Sequence, residues 1–143
     1  MIKILKSFPA IALIAIILSS CSNYGKEYKL DDKHNIYYKG DGLDEAIAKK
    51  LANYLKEQDY FQDSISSTVQ ITKNKDTFNL NFVVDKEKIT EQSESVFLMF
   101  GAMISESVFN KSPVTIQLTN NQLKPFKNLG YAKPFKDESM PSE

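Results

Sequence analysis

TVQITKNKDTFNLNFVV, residues 68–84, is the stretch that decides the fold. In its first part Val69 and Ile71 alternate with Thr68, Gln70 and Thr72. In its second part Phe78, Leu80 and Phe82 alternate with Asn79 and Asn81. Successive side chains of a strand point to opposite faces, so this spacing describes two strands that each bury one face and wet the other. The polar KNKD between them, residues 73–76, supplies the turn, and the stretch predicts a β-hairpin.

Upstream, NIYYKG at residues 35–40 has the aromatic and β-branched content of a short strand that stops at Gly40. A helix is expected next. Asp41 is its expected N-cap, Asp44 and Glu45 place negative charge in the first turn, and Leu43, Ile47, Leu51, Tyr54 and Leu55 form one apolar stripe up to about Gln58. Tyr60 and Phe61 should fold back onto the core.

Downstream, a second helix is expected from Glu87 or Thr90 to Phe109, with Ile89, Val96, Phe97, Phe100, Ile104 and Val108 on its stripe. The same projection puts Leu98 on the opposite, polar side beside Glu91, Glu94 and Ser105, as a lone surface leucine or a partner contact. Val114, Ile116 and Leu118 then alternate with Thr115, Gln117 and Thr119 as a further strand. An edge strand around Leu129 to Ala132, bounded by Pro125 and Pro134, could close the set.

Strands with one apolar face and helices with one stripe make a two-layer α+β sandwich. The order strand, helix, strand, strand, helix, strand is that of the split βαβ, ferredoxin-like arrangement, with room for the extra C-terminal edge strand. The rival is another α+β layering in which the last strand pairs elsewhere. The expected organisation is a single domain over residues 34–136, preceded by a polar tether, residues 21–33, and followed by a disordered tail, residues 137–143.

The N-terminus gives an address. Lys3 and Lys6 precede an uncharged apolar run from Phe8 to Leu18, eleven residues where a membrane-spanning helix needs about 20. Small Ser19 and Ser20 follow, and then Cys21, the only cysteine in the chain. Leu18, Ser19, Ser20 and Cys21 resemble the lipobox of bacterial lipoproteins. That resemblance implies that residues 1–20 are a signal peptide and that Cys21 is the lipid attachment site and first residue of the mature protein. It also implies a cell-envelope location outside the cytoplasm. Ser22 in place of aspartate points to the outer membrane under the sorting rule of enteric lipoproteins. Two or three acyl chains hold a protein durably where one does not.

The mature chain would have 123 residues and, with 16 lysines against 18 acidic residues, a formal charge of −2. This balance argues against a nucleic-acid partner. All basic residues are lysine, so no bidentate guanidinium fork is available for phosphate or carboxylate. No G-x-G-x-x-G or P-loop occurs, which argues against nucleotide. One histidine and one cysteine are too few for a His or Cys metal site, and no cofactor is expected. His34, at the junction of tether and first strand, reads as an ordinary solvated residue. Asp31, Asp32, Asp41, Asp44 and Glu45 lack the spacing of a calcium loop.

Catalytic residues are therefore not expected. A non-catalytic, lipid-anchored binding or assembly module is, with a protein partner or a second copy of itself as its contact. The alternatives are an inhibitor or immunity-type envelope protein and a small carboxylate-dependent hydrolase. The expected contact surface is the sheet face left uncovered by the helices: Tyr37, Gln70, Thr72, Asn79, Asn81, Thr115 and Gln117. It is neutral and amide-rich.

Overall fold

The computed structural model describes residues 23–132. The expected signal peptide, Cys21 and the expected tail, residues 137–143, lie outside the described residues. Hairpin geometry is set where the sequence is most explicit: β3 (Ser67–Asn74) pairs antiparallel with β4 (Thr77–Val83), Ile71 opposite Leu80 and Gln70 opposite Asn81. The turn between them places Lys75 at a positive φ of 54°.

Outward from this hairpin the sheet grows symmetrically. β2 (His34–Lys39) lies parallel to β3, and β5 (Val114–Thr119) lies parallel to β4. β1 (Lys26–Lys29) and β6 (Pro125–Tyr131) close the two edges in antiparallel pairing. The result is one six-stranded mixed sheet in the order β1-β2-β3-β4-β5-β6. α1 (Glu45–Glu57) connects β2 to β3, and α2 (Glu91–Val108) connects β4 to β5.

The α+β class and the chain order βαββαβ are as expected, but the split, ferredoxin-like interleaving is not what forms. In a split unit another strand lies between the two parallel strands; here β2 touches β3 and β4 touches β5 directly. Both helices pack on one face, α1 against β2 and α2 against β5, where Gly101 approaches Ile116. The two crossovers step the same way across the sheet from strands of opposite direction. With helices on a common face, one crossover must therefore be left-handed, although such connections are right-handed in about 98% of cases.

The core sits between that face and the helices. Ile36, Val69, Ile71, Leu80, Phe82, Ile116 and Leu118 are fully buried beneath Leu51, Leu55 and Ile104. α1 is capped by Asp44 rather than Asp41: its carboxylate accepts from the Ile47 amide at 3.0 Å. Gly42, at φ 79°, turns the chain just before it. α2 is capped by Thr90, which exchanges hydrogen bonds with Ser93, after a 3₁₀ turn at Lys86–Lys88.

Three expectations are corrected. Residues 26–29, read as part of a tether, form β1, and Tyr28 and Leu30 pack against the core. Leu98 is not the exposed apolar residue of α2; it is partly buried against the core, whereas Val96 is 52% exposed. The reason is Gly101, whose missing side chain lets α2 approach β5 so closely that a Cβ there would lie 2.6 Å from Ile116 and 2.9 Å from Ala132. That contact sets the buried stripe along Gly101, Ile104 and Val108 and turns Val96 outward. β6 also begins at Pro125, four residues earlier than expected, with register shifts against β5 that blunt this edge.

Candidate functional site: the amide face of the sheet

Because β2–β5 alternate in phase, every residue expected on the uncovered face is placed there, on the side opposite the helix-facing core. Pairing lines them up across strands: Tyr37, Gln70, Asn81 and Gln117 form one row, and Thr72, Asn79 and Thr115 form the next. Glu27 and Asn128 extend the first row to the two edge strands.

These side chains are tied to one another. Asn81 Nδ2 donates to Gln70 Oε1 at 2.9 Å, and Gln70 Nε2 donates to the Tyr24 carbonyl at 3.0 Å. Thr115 donates to Asn79, and Thr68 donates to Asn35 at 2.6 Å. Asn35 in turn donates to Glu27 at 2.7 Å. Tyr24 meets Tyr37 edge-to-face with centroids 5.5 Å apart. Burial, then the nearby Glu27 carboxylate, holds the Tyr37 phenol above its ordinary pKa.

The face is therefore drier than alternation suggests. Asn81 and Gln70 are only 7% and 8% exposed, so Asn81 does not point into water as the alternation predicts for it and Asn79 alike. Cross-strand neighbours flank both, and residues 23–25 run back over the β2–β3 side. Asn81 Oδ1 is buried and has no hydrogen-bond partner. A buried acceptor left unpaired costs roughly 1–3 kcal/mol, and its burial keeps it out of reach of a group outside the domain.

His34 departs furthest from the sequence reading. It is 2% exposed rather than solvated, its ring stacked on Phe61 with centroids 4.8 Å apart. Nδ1 lies 2.7 Å from Asp31 Oδ2, and Nε2 lies 2.8 Å from both the Gln62 and Ile65 carbonyls. Carbonyls on one side and a carboxylate on the other require a donor at both nitrogens, which only the imidazolium supplies. Burial pulls the His34 pKa down, but Asp31 and the two carbonyls outweigh it and the net shift is upward. The hydrogen bond from His34, helped by the Lys33 amide, holds Asp31 below the usual carboxylate range. The cluster staples the β1–β2 turn to the α1–β3 loop. It has no nucleophile and all its polar groups are engaged, so its chemistry is structural.

The same end of the sheet carries a shallow cleft lined by Tyr60, Ile65, Ile89, Phe97 and Phe126, with Lys86 and Lys88 at its rim. Among the described residues no three His, Cys, Asp or Glu side chains come together to hold a metal ion. No described helix is long and apolar enough to cross a membrane.

A family model, AF_1994_N, described as a family N-terminal domain, matches residues 28–130. That span runs from β1 to the penultimate residue of β6. No curated protein and no solved structure matches the chain.

Proposed function

The chain belongs to the AF_1994_N family, and we propose that it is a non-catalytic binding or assembly module of the bacterial cell envelope. It is held to the outer membrane by acyl chains on Cys21 and makes contact through the amide face of its sheet. The lipobox-like Leu18-Ser19-Ser20-Cys21 supports the location.

The observation that carries the contact surface is the make-up of the uncovered face, with Tyr37, Gln70, Asn81 and Gln117 in one row and Thr72, Asn79 and Thr115 in the next. A chain that is one quarter charged has kept charge off the centre of this face and confined it to Glu27, Lys29 and Lys39 near one edge. Neutral amides and hydroxyls offer donors and acceptors without imposing a charge on what they meet.

The test is site-specific photo-crosslinking in intact envelopes of the full chain. A photoreactive residue at position 79 or 117 should give abundant adducts, and one at position 50, on the exposed side of α1, should give few. Adducts spread equally over the three positions overturn the amide face as the contact surface.

A further inference from the structure

We propose that the surface met by the amide face is the headgroup layer of the very membrane that Cys21 enters. This rests on the reading of Cys21 as the lipid attachment site.

The geometry begins with where the described chain starts. Asn23 and Tyr24 are fixed on the sheet: Lys39 Nζ donates to the Asn23 carbonyl at 3.4 Å, Gln70 Nε2 donates to the Tyr24 carbonyl at 3.0 Å, and the Tyr24 ring packs on Tyr37. Gly25 makes this route available. At φ 93° it lies so close to β2 that a Cβ would sit 2.4 Å from the Tyr38 carbonyl. The polypeptide therefore leaves the domain from the amide face itself, beside Lys39 and Gln70, and not from the helix layer.

From Asn23 back to Cys21 are two residues, which span at most about 7 Å when fully extended. A domain of this size has a radius of gyration near 13 Å. A lead so short compared with the body it carries cannot lift the domain clear of the bilayer or let it turn over. The side from which the lead departs must lie next to the membrane.

Surface chemistry agrees with that orientation. The amide face presents tyrosine, threonine, asparagine and glutamine, and tyrosine is favoured at the level of lipid headgroups. Lys39 stands at the exit, placed to meet a lipid phosphate. The outer side of α1, on the opposite layer, carries Glu45, Lys49, Lys50, Lys56 and Glu57, all exposed, as suits a surface turned to water. Headgroups with ammonium or hydroxyl groups are the chemical class that complements the partly exposed Thr72, Asn79, Thr115 and Gln117 of this face.

The experiment uses the full chain, acylated at Cys21 and reconstituted in vesicles of phosphatidylethanolamine and phosphatidylglycerol that include a nitroxide-headgroup lipid. A fluorophore is attached to Gln117→Cys or Asn79→Cys on the amide face and, for comparison, to Lys50→Cys on α1. The acylated Cys21 does not compete for the label. Each variant is first shown to melt with the parent.

Quenching at positions 79 and 117 several-fold stronger than at position 50 is the expected result. Equal quenching at all three, or stronger quenching at 50, overturns the orientation. The mass of the mature chain reports separately on the anchor. An unacylated chain refutes the lipid-anchored reading itself, whereas an acylated chain with equal quenching refutes only this inference.

Discussion

Replacing His34 with alanine is the sharpest probe of what holds this domain together. The substitution removes a charge-assisted hydrogen bond to Asp31, leaves the Gln62 and Ile65 carbonyls without their shared donor, and deletes a ring stacked on Phe61. A hydrogen bond to a charged group contributes about 1.5–3 kcal/mol and an aromatic pair about 0.5–1.5 kcal/mol. Asp31 is 42% exposed and regains water, so nothing is added for its lost partner. The expected loss is therefore about 2–4 kcal/mol. For a domain of about 100 residues each kcal/mol moves the melting midpoint by roughly 4–8 °C, so a fall of roughly 10–20 °C is expected.

The same cluster fixes the pH dependence. The His34 pKa is raised on folding, so its contribution is complete below its ordinary value of 6.5 and is lost as pH rises through the higher folded-state value. The Asp31 pKa is lowered, so its contribution is complete above its ordinary value of 3.8 and is lost as pH falls through the lower folded-state value. Thermal melts followed by circular dichroism from pH 3 to pH 9 should show the parent most stable between those two values and weaker above neutrality. The alanine variant should show a flatter alkaline limb. A variant that melts with the parent, or a parent whose stability rises above neutrality, refutes the clamp.

Deleting residues 22–30 should destabilise the domain in the same melts, because it removes β1, the Tyr24–Tyr37 contact and the packing of Tyr28; an unchanged midpoint means that this segment is a tether after all. Gly101→Val should cost about 1–3 kcal/mol by forcing α2 away from Ile116 and Ala132, measurable as a lower urea midpoint. Asp44→Ala should cost about 1 kcal/mol through loss of the α1 cap, while Asp41→Ala should cost little. Cys21→Ser should abolish incorporation of labelled fatty acid into the chain, and continued incorporation refutes the anchor.

Local rules were enough for the four central strands and the two helices. Period-two alternation at residues 68–84 and 114–119 assigned each strand residue to a face, and those assignments hold because a strand's pleat admits no other. The start of α2 was legible only as Glu87 or Thr90; the Thr90–Ser93 cap selects the second, and Glu87 falls in the preceding 3₁₀ turn.

What the sequence could not determine is whatever depends on residues far apart in the chain. The order βαββαβ is compatible with an interleaved or a consecutive sheet, because periodicity records which side of a strand is buried and not which strand lies beside it. His34 was legible only as a lone polar residue; its partners at Gln62 and Ile65 are 28 and 31 residues away, and only the fold brings their carbonyls to its ring. β1 escaped notice because an edge strand of four residues, KEYK, exposes most of its side chains and so leaves no apolar period to read. The burial of Asn81 came from Gln70 on the neighbouring strand and from the return of Tyr24 across it. The sequence by itself thus determined the two helices, the four central strands and the faces of those strands, and it carries the lipobox-like signal. Tertiary packing alone decided strand order, the imidazolium staple and the face from which the chain departs, because each is a pairing between groups that no local pattern links.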